Sequence, residues 1–431
     1  MRFFSSTEQL MVINKLKQKL SGQFVRNVGW LGGGELLNRV FRLGTTVVLA
    51  RLLSPHDYGL AAIVLTTKDF ATVFTLRSGV GSKIIQADEK DVEVLSNTAY
   101  WLNWILCIFL FIIQCGAAFP IAWFYKDNQV ILPICVIALE YLMLPLFSIQ
   151  MARINRENRL KVSAVAVALQ SSFGNIATIL LALLGMRMWA IVLPIVLTVP
   201  LWIIVAYKSH SWRPNQPFTL YRWREIVDFG KNVLGVELLD KLRSNLDYLL
   251  VGGFLGVNAL GTYFFAFNAG LGISLNVINV LTWPLLPHLC AARGNFEQLK
   301  DTYFSSVRTI ALVIVPLVLI QSSLAPFYVP IIFGQKWVTA IPILILICLS
   351  ALPRPFSNAA AMLLLAVDKA DIDLKWNLIF TVIFAIFLIT AMKWGILAVA
   401  AAVLISHLVA MPIFTIWATR YVLRPNSLFA K

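Results

Sequence analysis

Glu35, Asn38, Arg39 and Arg42 stand inside one run of otherwise apolar sequence. The spacings 35–39 and 38–42 are i, i+4, which puts these side chains on one stripe of a helix. A second run carries Lys68, Asp69 and Arg77, and a third carries Lys231, Asn232, Glu237, Asp240, Lys241, Arg243, Asn245 and Asp247. Glu140 and the triplet Pro353-Arg354-Pro355 sit in two more. A charge at the centre of a membrane helix costs about 3 kcal/mol on insertion scales. Helices this charged must face protein or water, not lipid. One use of such groups is ion pairing between or along helices, for example Glu35 with Arg39 or Glu237 with Lys241. The other is binding. Among these residues eight bases (Arg39, Arg42, Lys68, Arg77, Lys231, Lys241, Arg243, Arg354) face five acids (Glu35, Asp69, Glu237, Asp240, Asp247). Spare positive charge in a wet cavity suits an anionic substrate, and arginine can hold phosphate through two donors at once.

The candidate substrate contacts are therefore Arg39, Arg42, Arg77, Lys241, Arg243 and Arg354. Arg39, Arg42 and Arg77 would form a ladder from the mouth of a cavity towards its middle. The candidate ion-coupling groups are Glu35, Glu237, Asp240 and Asp247, which could trade partners on taking up a proton or sodium ion. Such a gradient is then the candidate driving force, and the sequence calls for no cofactor. Pro353 and Pro355 each remove an N–H donor. They predict either a broken helix that lines a transport site or a simple kink. Other chemistries lack their residues. His56, His210, His288 and His407 are isolated, and Cys107, Cys115, Cys135, Cys290 and Cys348 have no metal-ligand spacing, so both sets read as loop or packing residues. No paired loop carboxylates or nucleophile turn argues for an enzyme.

The elements that position these groups follow from composition. The chain has 431 residues, 59% hydrophobic and only 13% charged, where a soluble domain carries about 25% charged residues. A soluble enzyme and a disulfide-stapled secreted domain are excluded. Apolar runs fall at roughly 27–50, 59–85, 96–119, 130–151, 162–184, 188–207, 227–254, 259–288, 303–326, 337–367, 373–392 and 394–419. Each reaches the ~20 residues that cross a bilayer. The expectation is an all-α polytopic membrane protein of about 12 spans. Residues 8–26 read as an interfacial amphipathic helix, within an amino-terminal segment 1–26. Lys and Arg number 22 in the amino end, the even connections and the tail, against 5 in the odd connections. The positive-inside rule then puts both termini in the cytoplasm. The net charge of +15 belongs to that basic face, with no sign of nucleic-acid binding.

The chain also repeats. Glu35-Leu36-Leu37-Asn38-Arg39 in the first run corresponds to Glu237-Leu238-Leu239-Asp240-Lys241 in the seventh, at an offset of 202 residues, and Gly59 meets Gly261 at the same offset. Six spans per half give both halves the same orientation. This predicts two six-helix bundles, 27–207 and 227–431, joined by a cytoplasmic linker 208–226, with a cavity between them.

Three stretches look familiar. Ala50-Arg51-Leu52-Leu53-Ser54-Pro55-His56-Asp57-Tyr58-Gly59 resembles the turn after the first span of the oligosaccharide flippases. These are the polysaccharide-transporter branch of the multidrug/oligosaccharidyl-lipid/polysaccharide (MOP) exporter superfamily. Asn245 to Gly256, continued by Ala259-Leu260-Gly261-Thr262-Tyr263, resembles that branch's seventh-span motif, and Gly79 to Gln86 its second-span ending. The resemblance implies a V-shaped fold like that of the MOP and MATE transporters. It implies a flippase for a lipid-linked oligosaccharide, typically on a polyprenyl pyrophosphate, moving it from the inner to the outer leaflet of a bacterial inner membrane. Implied partners are that lipid-linked glycan, the bilayer and polysaccharide-synthesis machinery. A multidrug cation antiporter of the same superfamily and a membrane polysaccharide polymerase or ligase are the rival readings. A cation antiporter would want an acidic, aromatic-lined cavity. A polymerase or ligase would want a large outer loop, and the longest here has about ten residues.

Overall fold

The computed structural model describes residues 41–424 apart from 76, 216 and 283, and leaves out the side chains of 77, 78, 232, 233 and 273. The expected interfacial helix at 8–26, with Glu35, Asn38 and Arg39, lies outside the described residues. Among those described, every regular element is helical. We number the α-helices in chain order. The first half holds α1 (41–52), α2 (Pro55–Val73), α3 (Arg77–Gln86), α4 (Glu89–Tyr125), α5 (Ile131–Met143), α6 (Pro145–Arg156), α7 (Leu160–Leu183) and α8 (Trp189–Ser209). The second holds α9 (Trp223–Leu255), α10 (Val257–Ala269), α11 (Leu271–Thr282), α12 (Leu285–Ala292), α13 (Phe296–Tyr328), α14 (Ile341–Leu349), α15 (Arg354–Ala366), α16 (Ala370–Ala391) and α17 (Ile396–Val422).

Eight of the described stretches are long and apolar enough to cross a membrane, and nine if α5 and α6, bent by 51°, form one span. The three remaining expected runs fall on α1, on α2 with α3, and on α9. These are helical too, and α2, α3 and α9 carry the clustered charges that lower their hydropathy. Several runs differ from the sequence expectation. The run 59–85 breaks after Val73, 259–288 breaks at Gly270, and 337–367 breaks at 350–353. At the last of these the helix ends at Leu349 and restarts on Arg354, with Pro353 and Pro355 in its first turn. The regular helix is interrupted there by turns (Ala351 N–H to Cys348 O, Leu352 N–H to Leu349 O), while the run still counts as one span. Helix α4 begins at Glu89 and not near 96, because its charged first turn continues the helix beyond the apolar stretch. At 392–395 the chain makes a 3-10 turn, and Gly395 takes φ 86°, a region that favours glycine, so α16 and α17 are separate helices.

Among the described residues, the most extensive packing joins the two halves, α2 against α10. It is a glycine crossing. A Cβ on Gly261 would lie 1.7 Å from the carbonyl oxygen of Pro55, and one on Gly59 would lie 2.0 Å from that of Val257. Residues 55 and 257, like 59 and 261, are 202 apart. Each glycine of the repeat thus packs on the repeat mate of the other's contact. Small residues let backbones approach this closely in membrane helices.

The local chemistry of residues 51–59 explains why the chain turns there. Pro55 starts α2 with its φ already set. The Ser54 hydroxyl accepts from Asp57 N–H (3.1 Å), and Asp57 Oδ2 accepts from Ser54 N–H (3.0 Å), a reciprocal capping box. Tyr58 is buried against the rings of Phe265 and Trp337, which stack on each other at 3.9 Å. Cations and carbonyls are then exchanged across the halves. Arg51 donates to Ile332 O (2.9 Å) and Ile331 O (2.5 Å). Lys336 donates to Arg51 O (3.0 Å) and Leu53 O (2.6 Å), and Trp337 Nε1 to Ala50 O (2.8 Å). These carbonyls end helices and have no intrahelical partner of their own. The end of the molecule that the charge pattern predicts to be outer is therefore shut.

Candidate substrate cleft and coupling cavity

Charged residues from the first half meet α9 of the second. Lys241 Nζ lies 3.2 Å from Asp69 Oδ2, with both side chains close to half exposed (40% and 46%). The expected pair of Glu237 with Lys241 is not formed. Lys241 turns to Asp69, 172 residues away in sequence, because α2 packs against α9. Among the described residues Glu237 has no ion-pair partner. Lys68, next to Asp69, pairs instead with Glu140 of α5 at 2.8 Å, a contact that stays within the first half. Arg42 is exposed on α1, and among the described residues only its main-chain oxygen is engaged, by Thr46. Arg77 begins α3, and its side chain is not among those described. The proposed ladder of Arg39, Arg42 and Arg77 therefore rests here on Arg42 alone.

The remaining predicted residues gather in one cavity of about 360 Å3, walled by α9, α15, α16 and α17, with Phe267 and Leu275 from α10 and α11. Asp240, Arg243, Asp247 and Arg354 all line it. Arg243 bridges Asp240 (2.9 Å) and the side-chain oxygen of Asn377, whose Nδ2 in turn donates to Asp373 Oδ2 (3.1 Å). Asp247 is buried, and among the described residues it makes no ion pair with a base on its own helix. It accepts from the Tyr263 hydroxyl (2.8 Å) and from Tyr248 N–H (2.9 Å). Arg354 stands with Asp247 on this cavity and not beside Arg42; its Nε reaches Ser350 O, freed by the helix break, at 3.4 Å.

Two members of this group, Asp373 and Asn377, went unassigned in the sequence, and a third, His407, read there as a loop or packing residue, also lines the cavity. His407 is buried on α17 between the edges of Phe380 and Phe384. Its Nδ1 lies 2.8 Å from Val403 O. A carbonyl only accepts, so Nδ1 carries the proton and neutral His407 keeps a lone pair on Nε2. The i, i+4 spacing of Asp373 and Asn377 was a usable signal for one polar stripe. So was a lone histidine inside a span.

At the opposite end from the glycine crossing, the linker is strapped to the first half. Arg222 pairs with Asp91 (2.8 Å) and Glu225 (2.7 Å), and Glu225 also holds Lys83 (2.7 Å). The Lys83 ammonium pulls the Glu225 carboxyl below its ordinary range; slight burial opposes this, and Arg222 adds to it. Trp212 Nε1 donates to Glu93 (2.9 Å), itself paired with Arg153 (2.6 Å).

With that geometry in hand, the comparisons are decisive. The family described as "Polysaccharide biosynthesis protein" matches residues 48–342. This chain belongs to that family. It is 25% identical over 363 residues to the teichuronic acid biosynthesis protein TuaB of Bacillus subtilis, covering 82% of this chain and 74% of that one. It is 25% identical over 349 residues to the lipopolysaccharide biosynthesis protein WzxC of Escherichia coli, covering 78% and 68%. The fold is that of the lipid II flippase MurJ in an inward closed conformation, at 13% identity, a TM-score of 0.74 and coverage of 91% and 87%. An inward-facing MATE transporter of the MOP superfamily gives 0.70 over 89% and 94%, at 15% identity. The resemblance drawn from residues 50–59 and 245–263 is borne out, and the protein is an all-helical membrane protein of this fold.

Proposed function

We propose that this protein of the polysaccharide biosynthesis family flips a lipid-linked oligosaccharide across a bilayer, by alternating access of its two halves. The observation that carries the reading is the Asp69–Lys241 pair. It joins the halves inside apolar helices, yet stays wet enough to exchange partners. Exposed ion pairs are worth about 0–1 kcal/mol, so an anionic diphosphate can displace Asp69 at little cost. TuaB and WzxC, named for polysaccharide biosynthesis, point to a glycan cargo. In this reading the bundles are 27–207 and 227–431 with the linker 208–226 between them, the spans number twelve, and both termini face the cytoplasm of a bacterial inner membrane. Arg39, Arg42, Arg77 and Lys241 meet the substrate. The cavity of Asp240, Arg243, Asp247 and Arg354 couples transport to a proton or sodium gradient, with Glu35 and Glu237 exposed to the same exchange.

The test is reconstitution into liposomes with a fluorescent polyprenyl-diphosphate oligosaccharide in one leaflet. Protein-dependent transfer to the other leaflet is expected, and transfer no faster than in protein-free liposomes overturns the proposal. A second reading draws on one observation. The cavity holds Asp240, Asp247 and Asp373 beside Trp376, Phe380 and Phe384, the acidic aromatic lining a cationic drug would want. Ethidium transport abolished by Asp247→Asn would favour that reading, and Arg243 and Arg354 on the same walls count against it.

A further inference from the structure

The walls of the second-half cavity carry three carboxylates, Asp240, Asp247 and Asp373, and two arginines, Arg243 and Arg354. Acid is in excess by one charge, which at first sight suits a sodium ion. The hydrogen bonds point elsewhere. Asp240 comes from α9, and Asp373 and Asn377 stand one turn apart on α16. The Arg243 guanidinium bridges the two helices. Its Nη2 donates to Asp240 Oδ1 (2.9 Å) and its Nη1 to Asn377 Oδ1. Asn377 Nδ2 then donates to Asp373 Oδ2 (3.1 Å). A hard cation is held by several oxygen ligands at once. Here the oxygens that α9 and α16 offer are already joined by a cation that the chain itself carries. Arginine stays charged at any pH a cell meets, and it has donors but no acceptor. It is not titrated away, and it gives no ligand to a second cation. Asp247 is no better placed. Its Oδ1 accepts from Tyr248 N–H (2.9 Å) and its Oδ2 from the Tyr263 hydroxyl (2.8 Å), with Arg354 on the same cavity.

We propose that Arg243 stands in for an alkali cation between α9 and α16 and bars sodium from this cavity, so that a proton is the ion it exchanges. The inference rests on the coupling role given to the cavity above, and it chooses between the two ions left open there. A proton needs one lone pair, not a shell of oxygens. The charged and titratable groups around it are Asp240, Arg243 and Asp247 from α9, Tyr263 from α10, Arg354 from α15, Asp373 from α16 and His407 from α17. Helix α11 contributes only the apolar Leu275. Among the described residues, Asp373 Oδ1 and His407 Nε2 accept no hydrogen bond. A proton on either one balances the spare acid and leaves the Arg243 bridge in place.

Binding of radioactive sodium to the full-length protein in nanodiscs is the direct test, with choline chloride holding the ionic strength. The unaltered protein should bind no saturable sodium. Arg243→Ala leaves the carboxylates without their counter-charge, and it should bind at least tenfold more. Adding Asp373→Asn to that variant should abolish the gain. Saturable binding by the unaltered protein that Asp240→Asn or Asp373→Asn removes overturns the proposal, and so does a folded Arg243→Ala that binds none. A second measurement needs no variant. In proteoliposomes an imposed pH gradient should speed glycan transfer, and an imposed sodium gradient should leave it unchanged. Transfer that sodium speeds, or that neither gradient speeds, overturns the proposal. Should Arg243→Ala fail to fold, the unaltered protein decides through both assays. Sodium binding is read without the glycan, so the two readings separate. Absence of all transfer would sink the flippase reading and leave the sodium result standing; sodium-driven transfer would sink the role of Arg243 only.

Discussion

At the scale of single residues, Lys241 is the group whose removal tells most. Its pair with Asp69 is half exposed and weak, so the fold does not depend on it. Lys241→Ala should lower glycan transfer at least tenfold at unchanged protein level, while Asp69→Asn keeps most of it. The double exchange Asp69→Lys with Lys241→Asp restores the pair and should still fail to transport; recovery of transport would make the pair a structural tie. Arg42, exposed on α1, should behave as a graded contact. Arg42→Lys keeps the charge but loses the forked geometry, so partial activity is expected, and most is lost in Arg42→Ala. A transfer assay with matched expression checks both. The sequence exposed these charges plainly, because charged residues in apolar runs stand out. Their partners stayed hidden. Glu237 was the local candidate for Lys241, and Asp69 won because helix packing, not spacing, decides which of two carboxylates comes within 4 Å. His407 was passed over for a similar reason: its neighbours Phe380 and Phe384 lie on another helix.

At the scale of elements, the crossing of α2 and α10 sets how far the halves can close. A methyl group at Gly261 has no room against the Pro55 carbonyl, which is backbone and cannot rotate away. Overpacking of this kind costs about 1–3 kcal/mol, equivalent to roughly a 5–150-fold shift between two states. Gly261→Ala should therefore favour the state open at the predicted outer end. Cysteines placed at residues 52 and 338 should become more reactive towards a membrane-impermeant maleimide, and unchanged labelling would show that the crossing is not the closed gate. The pairing of Gly59 with Gly261 was legible as an offset in the sequence. The breaks at 73, 270 and 350 were only partly so. Pro353 and Pro355 announced one of them. The break at Val73 has no proline or glycine to mark it, and hydropathy runs straight through.

At the scale of the whole molecule, the strap ties the end of the linker and the head of α9 to the first half through Lys83, Asp91, Arg222 and Glu225. Glu225 has a folded-state pKa below its ordinary value, about 4.3 for a free glutamate. A depressed carboxylate contributes stability that is present above the unfolded value and is lost as pH falls through the folded one. The strap should thus hold at neutral pH and loosen only in acid, below the ordinary glutamate range. Limited proteolysis of residues 210–222 across pH 3–7, with an acid-tolerant protease, should show cleavage rising at the acid end. Glu225→Gln should flatten that rise by exposing the linker throughout; a variant that keeps the wild-type acid step would remove Glu225 from the account.

The seal at the other end is built on a different principle. Arg51, Lys336 and Trp337 all donate to main-chain carbonyls, and a carbonyl has no proton to gain or lose. Burial lowers the Lys336 ammonium below the ordinary lysine range, against the opposing pull of the Asp57 carboxylate. Acid only adds protons, so it leaves these contacts to carbonyl oxygens fastened. The face turned to the predicted exterior, where a cell cannot regulate its surroundings, carries the fastening that weather does not reach, and every titrating pair of the linker strap lies on the face that the cell itself would buffer.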